Sequence, residues 1–425
     1  MIDKLIKLVR KGFKKVSDSR RNNLSYELVD LLSIGFAMFS LKDSSLSSFK
    51  EQYSVRAQNL LRIYGIKSLP GDTAFRESLD EVRPEELQSQ FKAPLDLLRK
   101  EGVMKRRKVL GKYTVVTVDG TGHYCSGKKD CPQCMVKNHR NGKQTFYHQL
   151  LGAVAVHPQQ STVFPIACEA IVKQDGSTKN DCELNASKRI IPQIRQTLPK
   201  EEIITVFDAL YANGPHIKAL SANNMRYIIG TKGKTYVDVQ VQELRKKDKL
   251  ERFQWETQTT ICLAYFTNGL ILNGEHQDII TNYFECTEVD KQTGEQVFFS
   301  TWITDITVTS KNIMELASVA RSRWKIENET FNTLKNQGYH LEHNYGHGKK
   351  YLATNFAILT FLAFLVDQIA QQLDKDFQKA KEVCKSFKAF WEKVRYVFYL
   401  LPAMSMNAIY RFIIKRRQVN MPPLE

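Results

Sequence analysis

The chain has too few acidic residues to balance its basic ones. Lys and Arg number 62 against 45 Asp and Glu, a formal net charge of +17. An excess of that size favours a polyanionic partner, of which nucleic acid is the commonest. Cysteine is also sparse. Eight cysteines in 425 residues are too few for a disulfide scaffold, and three of them crowd into one short loop, which suits a metal-binding or packed turn in a reducing compartment. Long apolar runs are missing too: residues 356–366, the most apolar stretch, are too few to cross a bilayer and lead into Asp367 and Gln368. Residues 1–21 are basic and faintly amphipathic, without an apolar h-region or a small-residue cleavage site. A cytoplasmic protein with no membrane partner is expected. A hydrophobic share of 42% is enough for one large core or two to three ordinary ones.

The N-terminal hundred or so residues read as helical. Apolar residues recur there at helical spacing, and Pro84 suits a helix first turn. Lys4, Lys7, Arg10, Lys11, Lys14, Lys15, Arg20 and Arg21 make this region basic, which fits either a DNA-binding helical domain or a solvated surface. After Lys105-Arg106-Arg107-Lys108 the texture changes. KYTVVTVDGTG reads as a strand that ends at Asp119, with Gly120 and Gly122 turning the chain away. Two strands follow around Pro158, then a helix interrupted by Pro192, then a second strand with a terminal aspartate, Asp208, then a helix and a fifth strand, MRYIIGTKGK. Residues 236–305 read as strands. Residues from 351 onward read as helical, and TNFAILTFLAFLVDQIAQQL, apolar nearly all round, demands burial in a core or at a subunit interface.

Residues 312–335 read as one long helix, opened by Asn312 with Glu315 three residues on as a capping box. At 100° per residue, Ile313, Leu316, Ala317, Ala320, Trp324, Phe331 and Leu334 share a stripe, and Glu327 falls inside it. A carboxylate among apolar side chains must be paired, hold a proton or bind a metal. The plain structural alternative is an ion pair with Arg323 one turn earlier. Arg323-Trp324-Lys325-Ile326-Glu327, with Phe331 and Lys335 behind, resembles the Glu-bearing helix of the DDE transposases of bacterial insertion sequences, in the subgroup with a Tyr, Arg, Glu, Lys signature. Arg323 and Glu327 keep the signature spacing, Ala320 stands in the Tyr position, and Lys335 lies one residue late.

That resemblance implies an α/β, ribonuclease H-like mixed sheet and a division of the chain. The resemblance covers about Val115 to His347. Together with the helical texture of both ends it divides the chain into a helical, candidate DNA-binding region at 1–108, a catalytic core at 109–235 with a Cys/His loop at 120–145, a β-rich insertion at 236–306, the rest of the core at 307–350, and a helical region at 351–425. It also implies cleavage of double-stranded DNA at inverted-repeat ends, joining of 3′-hydroxyls to target DNA, and a homodimer in the DNA complex, within a bacterial cytoplasm. Alternatives are a ribonuclease H-like nuclease without strand transfer and a domesticated, non-catalytic DNA-binding protein. Phosphodiester chemistry of this kind needs a pair of Mg²⁺ or Mn²⁺ ions held by carboxylates. Asp119, Asp208 and Glu327 are the candidates for catalysis and metal binding, with Asp119 bridging both ions. Asp175, Asp181 and Glu183 are rivals, and a lone aspartate is more often a turn or cap residue.

A second metal set lies in HYCSGKKDCPQCMVKNH. Cys125, Cys131, Cys134 and His139 supply ligand types and spacings for zinc, with His123 or His148 as alternative fourth ligands and a reduced, packed turn as the plain reading. His340, His343 and His347 also invite a metal, although a loop touching phosphates through Lys349 and Lys350 is the stronger reading there. Arg323, Lys335, Lys232 and Lys234 are the principal DNA-contact candidates, with Lys128, Lys129, Lys137, Arg140 and Lys143 beside them.

Overall fold

A computed structural model describes residues 1–20, 25–128, 131–176 and 179–415. Arg21, Lys129, Arg416, Arg417 and the side chain of Asp181 lie outside the described residues. The strands are β1 (Tyr113–Ser126), β2 (Met135–Asn138), β3 (Gln144–His157), β4 (Gln160–Ile171), β5 (Glu202–Phe207), β6 (Met225–Gly230), β7 (Glu251–Glu256), β8 (Thr260–Ile271), β9 (Ile280–Asp290) and β10 (Gln296–Thr304). They form one mixed sheet in the order β2-β3-β1-β5-β6-β10-β9-β8-β7, with β4 also on β3. β1, β5 and β6 run parallel, and the other pairings are antiparallel. The run β4-β3-β1-β5-β6 is a ribonuclease H-like order. Val115, Val116 and Val118 are fully or almost fully buried, as expected of a β-branched strand covered on both faces.

Three elements between residues 113 and 271 differ from the sequence reading. β1 does not end at Asp119. Its pairing with β5 stops at Thr117 and Val206, but β3 accompanies it to Ser126 across an irregularity between Gly122 and Tyr124. Asp119 therefore sits where the parallel ladder ends, while the strand continues as one side of a hairpin. Tyr236–Lys246 is a helix and not a strand, because Thr235 and Asp238 close a capping box around its first turn. That signal outweighs the alternating valines, two of which, Val237 and Val241, are buried. The stretch 251–271 is two strands, folded at 257–259 where Thr257 N–H donates to the Thr260 carbonyl.

The helical parts meet on a central helix, Leu352–Leu373, whose side chains are buried on nearly every side. Its length and composition would pass for a membrane span, yet 94% of its most apolar window is buried within the protein. β4 covers one side, and helices Leu28–Ser40 and Asp72–Asp80 cover others. Gly35 permits close approach of the two helices, since a Cβ there would lie 2.9 Å from Leu359 Cδ1. Asp80 accepts the backbone N–H groups of Lys349, Lys350, Tyr351 and Leu352 at 2.8–3.1 Å, which satisfies donors left open at the start of the central helix. Farther along, Lys42 pairs with the buried Asp367, and Tyr339 donates to the same carboxylate at 2.7 Å. In the first helix, Ile2–Phe13, the apolar face is buried while Lys4, Lys7 and Lys11 stay exposed. Arg10 and Arg20 are engaged internally with Asp30 and Asp18.

One glycine fixes how the central helix and residues 326–331 approach the sheet. Gly152 on β3 pairs with Asp119, and a Cβ at Gly152 would meet Phe331 at 3.1 Å and Phe361 at 3.3 Å. Both rings rest on the strand beside Asp119 because that position has no side chain. Gly152→Val should lower unfolding stability by about 1–3 kcal/mol through overpacking. Gly274→Ala, at an exposed position where the added methyl meets nothing within 4 Å, should change it by less than about 0.5 kcal/mol. Denaturant midpoints compare the two, and equal values would show that the rings do not depend on the gap.

Candidate functional site

The two strand-associated aspartates emerge from neighbouring parallel strands at the same edge. Asp208 follows β5 directly, and its Oδ1 accepts from Leu210 N–H at 2.9 Å, capping the short turn Ala209–Tyr211. The cap role expected of a lone aspartate is thus present. Asp119 Oδ1 accepts from Gly120 N–H at 2.8 Å, and its Oδ2 accepts from Arg323 Nη1 at 2.9 Å. The same nitrogen reaches Glu327 Oε1 at 2.7 Å. One guanidinium therefore joins the strand aspartate to the glutamate.

The segment bearing that glutamate is not the straight helix read from the sequence. Helix Ile313–Arg321 breaks at Ser322 and Arg323, and residues Ile326–Phe331 form a π-helical turn before Asn332–Asn336 resumes an α-helix. The expected capping box is absent as well, since Asn312 makes no side-chain cap and Glu315 accepts from Leu110 N–H at 2.7 Å. Ile313, Leu316, Ala317, Ala320, Phe331 and Leu334 are buried as expected. From the break onward, however, Ser322, Lys325, Ile326 and Thr330 are also buried, and Trp324 is 42% exposed. The break and the π turn after it interrupt the constant pitch, and Glu327 lies outside the apolar stripe with its side chain half exposed. π turns inside helices occur often at functional sites.

Burial is the main force on Asp119, pushing its carboxyl up to about 6, and the nearby Glu327 and Asp208 push the same way against Gly120 N–H and Arg323. Burial works against the charge on Arg323, but Asp119, Glu327 and Asp208 together raise its pKa. Glu183 stands close by. A Cβ on Gly120 would lie 3.4 Å from its carboxyl, and Tyr211 O–H donates to Glu183 Oε1 at 2.9 Å. Burial raises the Tyr211 hydroxyl strongly, and Glu183, Asp208 and Asp119 add to the effect. Of the rival carboxylates, Asp175 is committed to Arg189, which donates to its Oδ2 at 2.9 Å, and to Val172 N–H.

The Cys/His loop gathers a different set from the one its spacing suggested. Cys131, Cys134, His148 and His347 present ligand atoms that all lie within 4.8 Å of one another, and no other group of three or more His, Cys, Asp or Glu among the described residues is as tight. Cys125 is exposed. It pairs with Tyr147 on β3, whereas Tyr124 pairs with His148, so strand alternation turns Cys125 to the opposite face from His148. His139 is exposed at the far hairpin turn, with Nε2 2.7 Å from Thr145 Oγ1. His123 is buried without a partner for either ring nitrogen among the described residues, and burial lowers it to about 3. His347 was weighed only with His340 and His343; the glycines on both sides of it were the missed sign of a tightly held turn.

Among the DNA-contact candidates, Lys335 pairs with Glu342 at 2.8 Å. Lys232 and Lys234 are exposed just after β6 and line an open groove of about 1000 Å³ with Arg245 and Lys246. Gly230, at the end of β6, rests against the backbone of Asp208 and Ala209, so this basic loop starts beside the aspartates. Lys128, Lys137, Arg140 and Lys143 are exposed on the hairpin beyond Asp119, and Lys350 pairs with Glu81.

The raised pKa of Asp119 makes a test in metal-free protein. Its folded value of about 6 lies above the ordinary aspartate value of 3.8, so ionisation costs stability as pH rises between those values. Asp119→Asn should stabilise chelator-treated protein at pH 7 by on the order of 1–3 kcal/mol. The gain should fade below about pH 4, and a variant less stable than the parent at pH 7 would contradict it.

Residues 110–365 match the family described as Transposase DDE domain. No curated protein matches the chain in sequence. Among solved structures, one titled as a cryo-EM structure of the piggyBac transposase synaptic complex with hairpin DNA aligns over 99% of this chain and 80% of its own, at 10% identity and a TM-score of 0.40. The family match spans more than half of the chain, and the protein belongs to the Transposase DDE domain family.

Proposed function

We propose that the protein is a metal-dependent transposase of a bacterial insertion sequence, with Asp119, Asp208 and Glu327 as its catalytic carboxylates. The observation that carries this reading is the Arg323 bridge between Asp119 and Glu327 beside the strand that delivers Asp208. The donor types suit a hard divalent cation: all three are carboxylates from separate elements, Asp119 is raised by burial and by its two acidic neighbours, and Arg323 is bonded to both Asp119 and Glu327. Asp119, Asp208 and Glu327 would hold Mg²⁺ or Mn²⁺, which supplies charge neutralisation and an activated oxygen nucleophile for phosphodiester cleavage and joining.

The chain's own residues account for the rest of the task. Arg323 neutralises the carboxylates in the absence of metal, and its planar fork suits a DNA phosphate once they are otherwise engaged. Glu327 sits on the outer side of the π turn with its side chain half exposed, reachable from solvent, where a duplex can approach. Lys232, Lys234 and the basic hairpin beyond Asp119 flank that approach and would grip phosphates without reading bases. Two transposon ends must be brought together, so a homodimer in the DNA complex belongs to the same proposal.

Glu327→Gln tests the reading because it removes charge and keeps shape. Cleavage of duplex DNA carrying the element's ends should fall by more than about a hundredfold, more than disturbing a ligand's supporting bonds costs, while binding to the same duplex persists. Cleavage at the parental rate would remove Glu327 from the site. Cleavage without joining, in the unaltered protein, would favour a nuclease.

A further inference from the structure

We propose that Cys131, Cys134, His148 and His347 bind one zinc ion, which staples the basic hairpin beyond Asp119 to the segment that follows Glu327. This inference does not depend on the transposase reading, because it rests on a different set of atoms.

The spacing of the ligand atoms carries the argument. A tetrahedron with Zn–S bonds of about 2.3 Å and Zn–N bonds of about 2.0–2.1 Å has S···S edges near 3.8 Å and S···N edges near 3.6 Å. Here Cys131 Sγ and Cys134 Sγ are 3.7 Å apart. His148 Nε2 lies 3.4 Å from the first sulfur and 3.5 Å from the second, and His347 Nε2 lies 3.6 Å from Cys134 Sγ. Four edges thus already have nearly the length that zinc requires. Two sulfurs and two imidazoles suit zinc and are poor hosts for Mg²⁺, so the site is chemically distinct from the carboxylates.

The backbone holds each ligand in place. Cys134 N–H donates to the Cys131 carbonyl at 3.0 Å, and this tight turn aims both sulfurs one way. His148 is fixed by the β1–β3 register opposite Tyr124, and both it and Cys134 are almost fully buried. His347 arrives from far along the chain, between Gly346 at φ +149° and Gly348 at φ +71°. A side chain at Gly348 would collide with Asp80, the carboxylate that receives the next four backbone N–H groups. His347 is therefore presented by a turn that the central helix already pins. Lys128 stands exposed between Cys125 and Cys131 in sequence, and Lys137, Arg140 and Lys143 are exposed toward the far turn of the hairpin that the ion would anchor.

The full chain, purified without chelator from zinc-supplemented medium, should carry about one zinc per molecule by elemental analysis. X-ray absorption on that protein should find two sulfur and two nitrogen neighbours, a result that needs no variant to fold. Cys134→Ser and His347→Ala should each lose the metal, whereas Cys125→Ser and His139→Ala should keep it. Unaltered protein free of zinc, a shell with three sulfurs, or loss of zinc on changing Cys125 or His139 but not His347 would overturn the proposal.

Discussion

A helix that is apolar on every side cannot rest on a surface; it has to be enclosed. Residues 352–373 impose that demand, and elements far apart in sequence answer it: β4 on one side, N-terminal helices on others, and the C-terminal helices after it. Hydrophobic burial supplies the drive but no direction. Direction comes from a few buried polar contacts. Asp80 collects the N–H groups at the helix start, and Asp367 holds Lys42 and Tyr339 at mid-length. Breaking one partner of a buried pair is costly even where the pair itself adds little net stability, so these contacts select one arrangement among many that would bury the same surface.

The acidic site inherits its geometry from this packing. Phe361 of the central helix and Phe331, four residues past Glu327, both lie over Gly152, and Gly152 is the cross-strand partner of Asp119. The glutamate and the strand aspartate are thus located by the same gap in the sheet surface. Arg323 then ties them electrostatically. A cluster of carboxylates at one edge, partly buried and mutually repelling, raises the energy of the metal-free state, and strain of that kind is common at functional sites.

Much of this was legible from local pattern. Alternating β-branched residues marked the strands, Asp208 was placed at a strand end, and the i, i+4 spacing of Arg323 and Glu327 gave their ion pair. Other features were not local. Nothing in KYTVVTVDGTG says that β3 continues alongside past Asp119, since that follows from the length of its partner strand. A helical wheel assumes constant pitch and so cannot show the break at Ser322 and Arg323 or the π turn after it, which is why it puts Trp324 and Glu327 on the apolar face. The Thr235 to Asp238 capping box is a local signal that a reading of residues 236–305 as strands passes over. The fourth member of the Cys/His group, His347, lies 213 residues from Cys134, and only the central helix brings the two together.

The account turns on whether the carboxylates joined by Arg323 form a cation site. The most direct measurement is a crystal of the unaltered protein soaked in Mn²⁺, with anomalous scattering used to locate the ion. The account predicts a peak within bonding distance of Asp119 and of Asp208 or Glu327, with the Arg323 guanidinium displaced from at least one carboxylate. Crystals in which Arg323 keeps both contacts, and in which manganese binds elsewhere or not at all, would contradict it.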